Sequence, residues 1–166
     1  MHNSIPDYTE FLDTLFLKLE NTGFNVNGLQ LDHIAYYTET KQEYDNLKPE
    51  FEKLGLFDHE AIISNRRVGV IKLHEPFMYR DYIIDAAELI EPKEGEVHPS
   101  GWEHAEFVIS EDYYKFMEKH SGLTWDTGSI DRENYSHITV AFDKNLKVKF
   151  HDKSILQCIE IERSSK

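Results

Sequence analysis

Residues 101–108 read Gly-Trp-Glu-His-Ala-Glu-Phe-Val. Apolar residues at 102, 105, 107 and 108 fit a strand, yet Glu103, His104 and Glu106 fall within four positions of it. A half-buried strand tolerates such a run only if its polar side meets water or if something inside requires those groups. Residues 32–35, Asp-His-Ile-Ala, repeat the same local word of an acid, a histidine and apolar residues.

Working outward from these two strands, the chain reads as a repeat. Ile5, Tyr8, Leu12, Leu15, Phe16 and Leu19 recur at helical spacing, Ser4 with Asp7 resembles a capping box, and Gly23 supplies a stop. A loop over 21–30 precedes the strand LDHIAYYTE. Thr40 and Glu43 then cap a helix through Tyr44, Leu47, Phe51 and Leu54, with Pro49 expected to kink or split it. AIISN and RRVGVIKLHEP are strands joined by a turn at Asn65-Arg66-Arg67, the second ending at Pro76, and RDYIIDAAELIEP is the next strand. The polar stretch KEGEVHPSG is the internal boundary. The pattern then restarts: the strand at 102–110, a helix opened by Ser110, Glu111 and Asp112, a short strand LTWDTG, a firm strand YSHITVAFD, a hairpin partner LKVKFH, and a last helix capped by Ser154 and Gln157. The fold class is therefore α+β: one domain over 1–166, with an N-terminal helix and loop (1–27) and two βαβββ modules (28–94 and 100–166).

The net charge of −13 excludes sequence-independent nucleic-acid binding and docking on anionic lipid, both of which need Lys and Arg. The lone cysteine, Cys158, forms no internal disulfide. No apolar run reaches bilayer-spanning length, and the first residues lack a basic start and an apolar signal core. A cytoplasmic protein acting on or binding a small molecule is the expectation.

Equivalent strands of a two-fold-related pair bring equivalent positions together near the axis, so His33 and His104 converge on one site. Glu88 is the only carboxylate of its strand flanked on both sides by apolar residues; Asp85 and Glu91 lie nearer the ends and are expected in solvent. Two imidazoles and one carboxylate suit a divalent metal ion (zinc, iron, manganese or nickel) with coordination positions left open. Glu106 shares a face with His104 and is either a partner of its imidazole or the carboxylate ligand itself. Aligning the closing strands sets Lys149 opposite Glu88, where a cation holds an anionic substrate group or offsets a carboxylate. His151 shares the face of Lys149 and is a proton donor or a further ligand; a solvated strand end is its bland reading. His74 is read as lining the pocket with them, against the bland alternative of a solvated strand end. Trp102 reads as packing, Arg66 and Arg67 as a solvated tip, and His137 as a weaker site candidate. There is no G-x-G-x-x-G, P-loop or G-x-S-x-G.

DHIA, KLHEP, GWEHAEFV and VKFHDKSI, in this order and spacing, resemble the YecM family of bacterial proteins. The resemblance implies the vicinal oxygen chelate superfamily, which includes glyoxalase I and extradiol dioxygenases, and two βαβββ modules whose curved mixed sheet surrounds a central cavity. It places metal ligands from the first and last strands of the modules on His33, His104 and Glu88. The fourth carboxylate position of glyoxalase-like sites falls on Lys149, a departure that points away from glyoxalase chemistry. The function implied is that of a metal-dependent isomerase, lyase or dioxygenase acting on a small oxygen-rich molecule, with a non-catalytic ligand- or metal-binding module as the alternative.

Overall fold

The structure, a computed structural model, describes residues 5–166. Its elements in chain order are α1 (Thr9–Asn21), β1 (Gln30–Tyr37), α2 (Lys41–Leu54), β2 (Gly55–Ile63), β3 (Arg66–Tyr79), β4 (Tyr82–Ile90), β5 (Gly101–Val108), α3 (Tyr113–Lys119), β6 (Ile138–Asp143), β7 (Leu146–His151) and α4 (Ile155–Ser164). Seven strands form one mixed sheet in the order β2-β3-β4-β1-β5-β7-β6. β1 and β5 are antiparallel neighbours at its centre. Each pairs in parallel with the closing strand of its own module, β1 with β4 and β5 with β7. The two βαβββ modules thus sit side by side, related by the antiparallel seam.

The modules are not equally complete. The strand expected in LTWDTG is reduced to an isolated bridge, Asp126 to Thr139, beside β6. Asp126 N–H donates to Thr139 O at 2.8 Å and Thr139 N–H donates back at 3.0 Å. That bridge stands where β2 stands in the first module.

Local signals explain most boundaries. At the end of α1, Gly23 (φ +75°) allows its N–H to reach Glu20 O and the N–H of Phe24 to reach Leu19 O. Just ahead of α1, the Asp7 carboxylate accepts from Thr9 N at 2.8 Å, while the N-cap position itself, Tyr8, has no side-chain cap; Ser4 lies outside the described residues. Thr40 caps α2 by accepting from Glu43 N, Asp112 rather than Ser110 caps α3, and Ser154 with Gln157 forms a full capping box on α4.

Three boundary expectations are corrected. α2 is not split at Pro49. A mid-helix proline costs about 3 kcal/mol, and burial of Tyr44, Leu47 and Phe51 on the same helix offsets it. β3 runs past Pro76 to Tyr79, because a register shift between Lys72 and Phe77 places the proline where no ladder bond is needed. The β2–β3 turn is Ser64-Asn65, both at positive φ as a two-residue hairpin requires, so Arg66 and Arg67 belong to β3.

The two faces of the sheet differ. One carries the main core: Leu12, Leu15 and Phe16 of α1, Tyr44 and Phe51 of α2 and Phe116 of α3 cluster with Ile34, Ile71, Leu89, Phe107 and Phe150 of the strands. Trp102 belongs here as packing, its ring edge-on to Tyr36 and its Nε1–H donating to Pro6 O. The other face has a smaller apolar cluster in which Ile155 and Ile159 of α4 meet Val70 and Ala86. The polar side chains of the central strands lie on that second face. No helix among the described residues is long and apolar enough to cross a membrane.

Candidate metal centre

The register explains why the centre forms. His33 pairs with Glu106, Ala35 with both His104 and Glu88, and Glu106 with Lys149. Partners across a ladder share a face, so these side chains project together. Counting from each histidine, position +2 pairs with Glu88 in the first module (Ala35) and with Lys149 in the second (Glu106). Glu88 and Lys149 are therefore equivalent. The second module carries its carboxylate one strand over, on β5, where the first has Ala35.

Both histidines are preceded by an acid at an irregularity. The β1–β5 ladder slips between Leu31 and His33, and again between Ala35 and Tyr36, which skips Asp32 on β1 and Glu103 on β5. A bulge breaks strict alternation. Adjacent residues, Asp32 with His33 and Glu103 with His104, thereby address one centre. Sequence reasoning missed Asp32 and Glu103 because alternation assigns them to the opposite face; the repeated acid–histidine word was the available signal.

The distances are uniform. His33 Nε2 lies 3.6 Å from Glu88 Oε2 and 3.5 Å from Glu106 Oε1. His104 Nε2 lies 3.5 Å from each of the same two oxygens. One ligand atom from each of these four buried residues lies within 4.8 Å of the others. Neither Nε2 has a hydrogen-bond partner. Two ligand atoms that each sit about 2.1 Å from an ion at a tetrahedral angle are about 3.4 Å apart. The spacing is thus too long for hydrogen bonds and right for the edges of a coordination shell. The residues present fit a divalent ion.

The surroundings prepare those nitrogens. Asp32 Oδ2 accepts from His33 Nδ1 at 2.8 Å, which leaves the Nε2 lone pair free. The same oxygen accepts from Ile155 N at 2.8 Å, tying the N-terminus of α4 to the centre, and lies 3.3 Å from His151 Nε2. Glu103 Oε2 stands 3.6 Å from His104 Nδ1, and its other oxygen pairs with Lys147 Nζ at 3.1 Å. His151 Nδ1 lies 3.4 Å from Glu106 Oε2, and Lys149 Nζ 3.5 Å from Glu106 Oε1.

Charge makes the same demand. Burial pushes the Glu88 and Glu106 carboxyls up, but His33 and His104 together, with Lys149 beside Glu106, outweigh it and hold both below the usual carboxylate range. Burial pulls His33 down, yet Glu106 and Glu88 raise it well above its ordinary value. His104, lowered by burial and by Lys149, is lifted to about 9 by Glu103, Glu106 and Glu88. Burial raises Asp32, but the nearby His151 ring and the hydrogen bond from His33 together bring it below its ordinary value. Buried carboxylates converging in this way require positive charge among them, from protonated imidazoles or from a cation.

A cavity of about 150 Å³ opens over the centre, lined by Glu88, Glu106, Lys149 and His151 together with His137 and Arg66. His74 is not part of it: the side chain is exposed, in the stretch of β3 that has left register with β4. Val68 and Val70 supply the β3 wall instead. His137 does line the cavity; burial, then the Lys149 ammonium, lower it to about 4, so the ring is neutral at pH 7. Its Nδ1–H donates to Tyr135 O at 2.9 Å, which leaves Nε2 as an acceptor. Two further expectations change. Glu91 is buried rather than solvated, and Arg67 is no loose tip, because it binds Glu91 at 2.8 Å and Asp45 at 2.7 Å.

Comparison with known proteins agrees with the fold. Protein YecM of Escherichia coli (strain K12) is 27% identical over 177 residues, covering 98% of this chain and 93% of that protein. The solved structure described as protein EC4020 superposes with a TM-score of 0.69 at 22% identity, covering 98% of this chain and all of that one. Methylmalonyl-CoA epimerase in complex with methylmalonyl-CoA and ammonium gives a TM-score of 0.50 at 12% identity over 74% of this chain and 92% of that one; at that identity the likeness is one of fold, the glyoxalase-like arrangement. The YecM protein family model matches residues 1–162, and the chain belongs to that family.

Proposed function

We propose that this protein is a metal-dependent enzyme of the vicinal oxygen chelate type acting on a small oxygen-rich molecule. The observation that carries the proposal is the set of four buried ligand atoms, from His33, Glu88, His104 and Glu106, at coordination-shell spacing with both Nε2 atoms otherwise unpartnered. These four residues would hold the ion, so Glu106 completes the set of His33, His104 and Glu88 expected from sequence. A bound divalent ion supplies Lewis-acid polarisation of substrate oxygens.

The remaining steps belong to the chain. Asp32 fixes the tautomer of His33. Lys149 offsets charge at Glu106 and offers an ammonium to developing negative charge on a substrate oxygen. His151, bracketed by Asp32 and Glu106, is placed to hold or pass a proton at its ring nitrogens. His137, kept neutral, offers Nε2 as a proton acceptor on the cavity wall. Val68, Val70 and Ile155 limit access of water.

The test is turnover. Protein loaded separately with zinc, iron, manganese and nickel is incubated with vicinal diols, catechols and 2-oxo-aldehydes, and products are identified by mass spectrometry. Metal-dependent conversion that is lost in His151→Ala or Lys149→Ala supports an enzyme. Tight binding with every compound returned unaltered contradicts it and makes the protein a ligand-binding module.

A further inference from the structure

The cavity over the centre inverts the charge of the rest of the protein. The chain has 31 acidic and 18 basic side chains. Among the described residues the cavity wall has four cations, Arg66, Lys93, Arg132 and Lys149, and two carboxylates, Glu88 and Glu106. Both carboxylates are committed to the metal centre. With a divalent ion bound there, the two glutamates are neutralised and the lining is left strongly positive inside an acidic surface, a field that draws in and orients anions.

The cations are also available. Lys93 and Arg132 form no ion pair among the described residues. Arg66 has its side chain 15% exposed and makes one long ion pair, from Nη1 to Glu96 Oε2 at 3.7 Å, which a closer anion would outcompete. The guanidinium lies 4.8 Å from the Tyr37 ring and donates to the Tyr37 hydroxyl, which fixes its plane. Its Nε is buried without a partner. A planar guanidinium held in one orientation with a donor to spare matches a carboxylate or phosphate. The apolar wall between it and the metal ligands, Val68, Val70 and Ile90, leaves room for a short carbon chain.

Resting on the metal-centre reading above, we infer that the substrate is a small organic acid that spans the cavity. An oxygen pair lies at one end, toward His33, Glu88, His104 and Glu106. A second, anionic group lies at the other, against Arg66 with Lys93 and Arg132. A cavity of about 150 Å³ takes a molecule about as large as benzene, so the acid is short and a bulky coenzyme is not enclosed.

Calorimetric titration of zinc-loaded protein tests this with three probes that share a 2-hydroxy-acid end: malate, with a second carboxylate; 3-phosphoglycerate, with a phosphate; and malate 4-amide, neutral at that end. At least one of the two probes with a second acid group is expected to bind tenfold or more tightly than the amide, and which one identifies the anion. Arg66→Gln is expected to bring that acid down to the affinity of the amide with bound zinc unchanged. The exposed pair Lys93→Gln/Arg132→Gln, which does not endanger folding, is expected to weaken that acid threefold or more and the amide not at all. Equal affinity for acid and amide, or a preference that survives both sets of substitutions, overturns the inference while leaving the metal centre standing. Protein that takes up no zinc yet still separates acid from amide through Arg66 overturns the metal reading and keeps this one.

Discussion

Asp32 and His33 are neighbours in sequence, yet both side chains reach the same centre, because the bulge at Asp32 cancels strand alternation there. The 2.8 Å contact from Asp32 to His33 Nδ1 sets the tautomer. Asp32→Asn is therefore expected to weaken metal binding by about 10–100-fold, measured by competition with a chelator of known affinity. Glu103→Gln is expected to cost less than Asp32→Asn, since Glu103 stands 3.6 Å from His104 Nδ1, beyond hydrogen-bond distance. Glu106→Gln is expected to match Glu88→Gln in lost affinity, because each oxygen faces both Nε2 atoms; a loss confined to Glu88→Gln would return Glu106 to a supporting role. At this scale the repeat singled out the two histidines and Glu88 as expected ligands, and left Glu106 with two readings; the structure gathers all four side chains. The sequence marked Asp32 and Glu103 only by the repeated acid–histidine word, since the bulge that turns them inward depends on how the two strands pair. His74 failed for a related reason: its word resembled a motif, but β3 leaves register just there.

Among the elements, the junction from α2 to β2 has no loop at all, and Gly55 makes it possible. A Cβ at Gly55 would lie 2.0 Å from Lys72 O, a backbone atom that cannot swing aside. Gly55→Ala is expected to destabilise the protein by about 1–3 kcal/mol or more, read from urea unfolding. A second strut joins the ends of β3 and β4. Glu91 accepts from Arg67 N at 2.8 Å and from its guanidinium at 2.8 and 3.1 Å, and Arg67 reaches on to Asp45 of α2. Burial raises the Glu91 carboxyl, but the Arg67 hydrogen bonds outweigh it and lower its pKa in the folded state. The stability this gives is present above the unfolded carboxylate value and is lost as pH falls through the folded one. Glu91→Gln is thus expected to cost about 1.5–3 kcal/mol near neutrality and progressively less under acid; a cost independent of pH would show that Glu91 acts through packing alone. The helices were legible from their apolar spacing and caps. The long β3 was not, because Pro76 reads as a stop unless the bulge that accommodates it is known. The second strand of the second module was overread, because LTWDTG has strand-like residues but gains only one bridge.

At the scale of the whole molecule, one face of the sheet builds stability and the other builds the site. The first face carries α1, α2 and α3 over the large apolar cluster, whereas the second gathers seven acidic and imidazole groups under the start of α4. Metal binding therefore has to offset charge that the fold has already buried. A ligand at a hundred times its Kd stabilises by about 2.7 kcal/mol, which in a chain of this size moves Tm by about 5–10 °C. Removing metal with a chelator is expected to lower Tm by that much, and adding it back is expected to restore it. The central claim is tested most directly by elemental analysis of tag-free protein after exposure to each divalent ion and desalting, with His33→Ala/His104→Ala as the comparison. One ion per wild-type chain and none in the double variant is the expected result. Wild-type protein without metal, or a double variant that retains it, would contradict a metal centre at these residues.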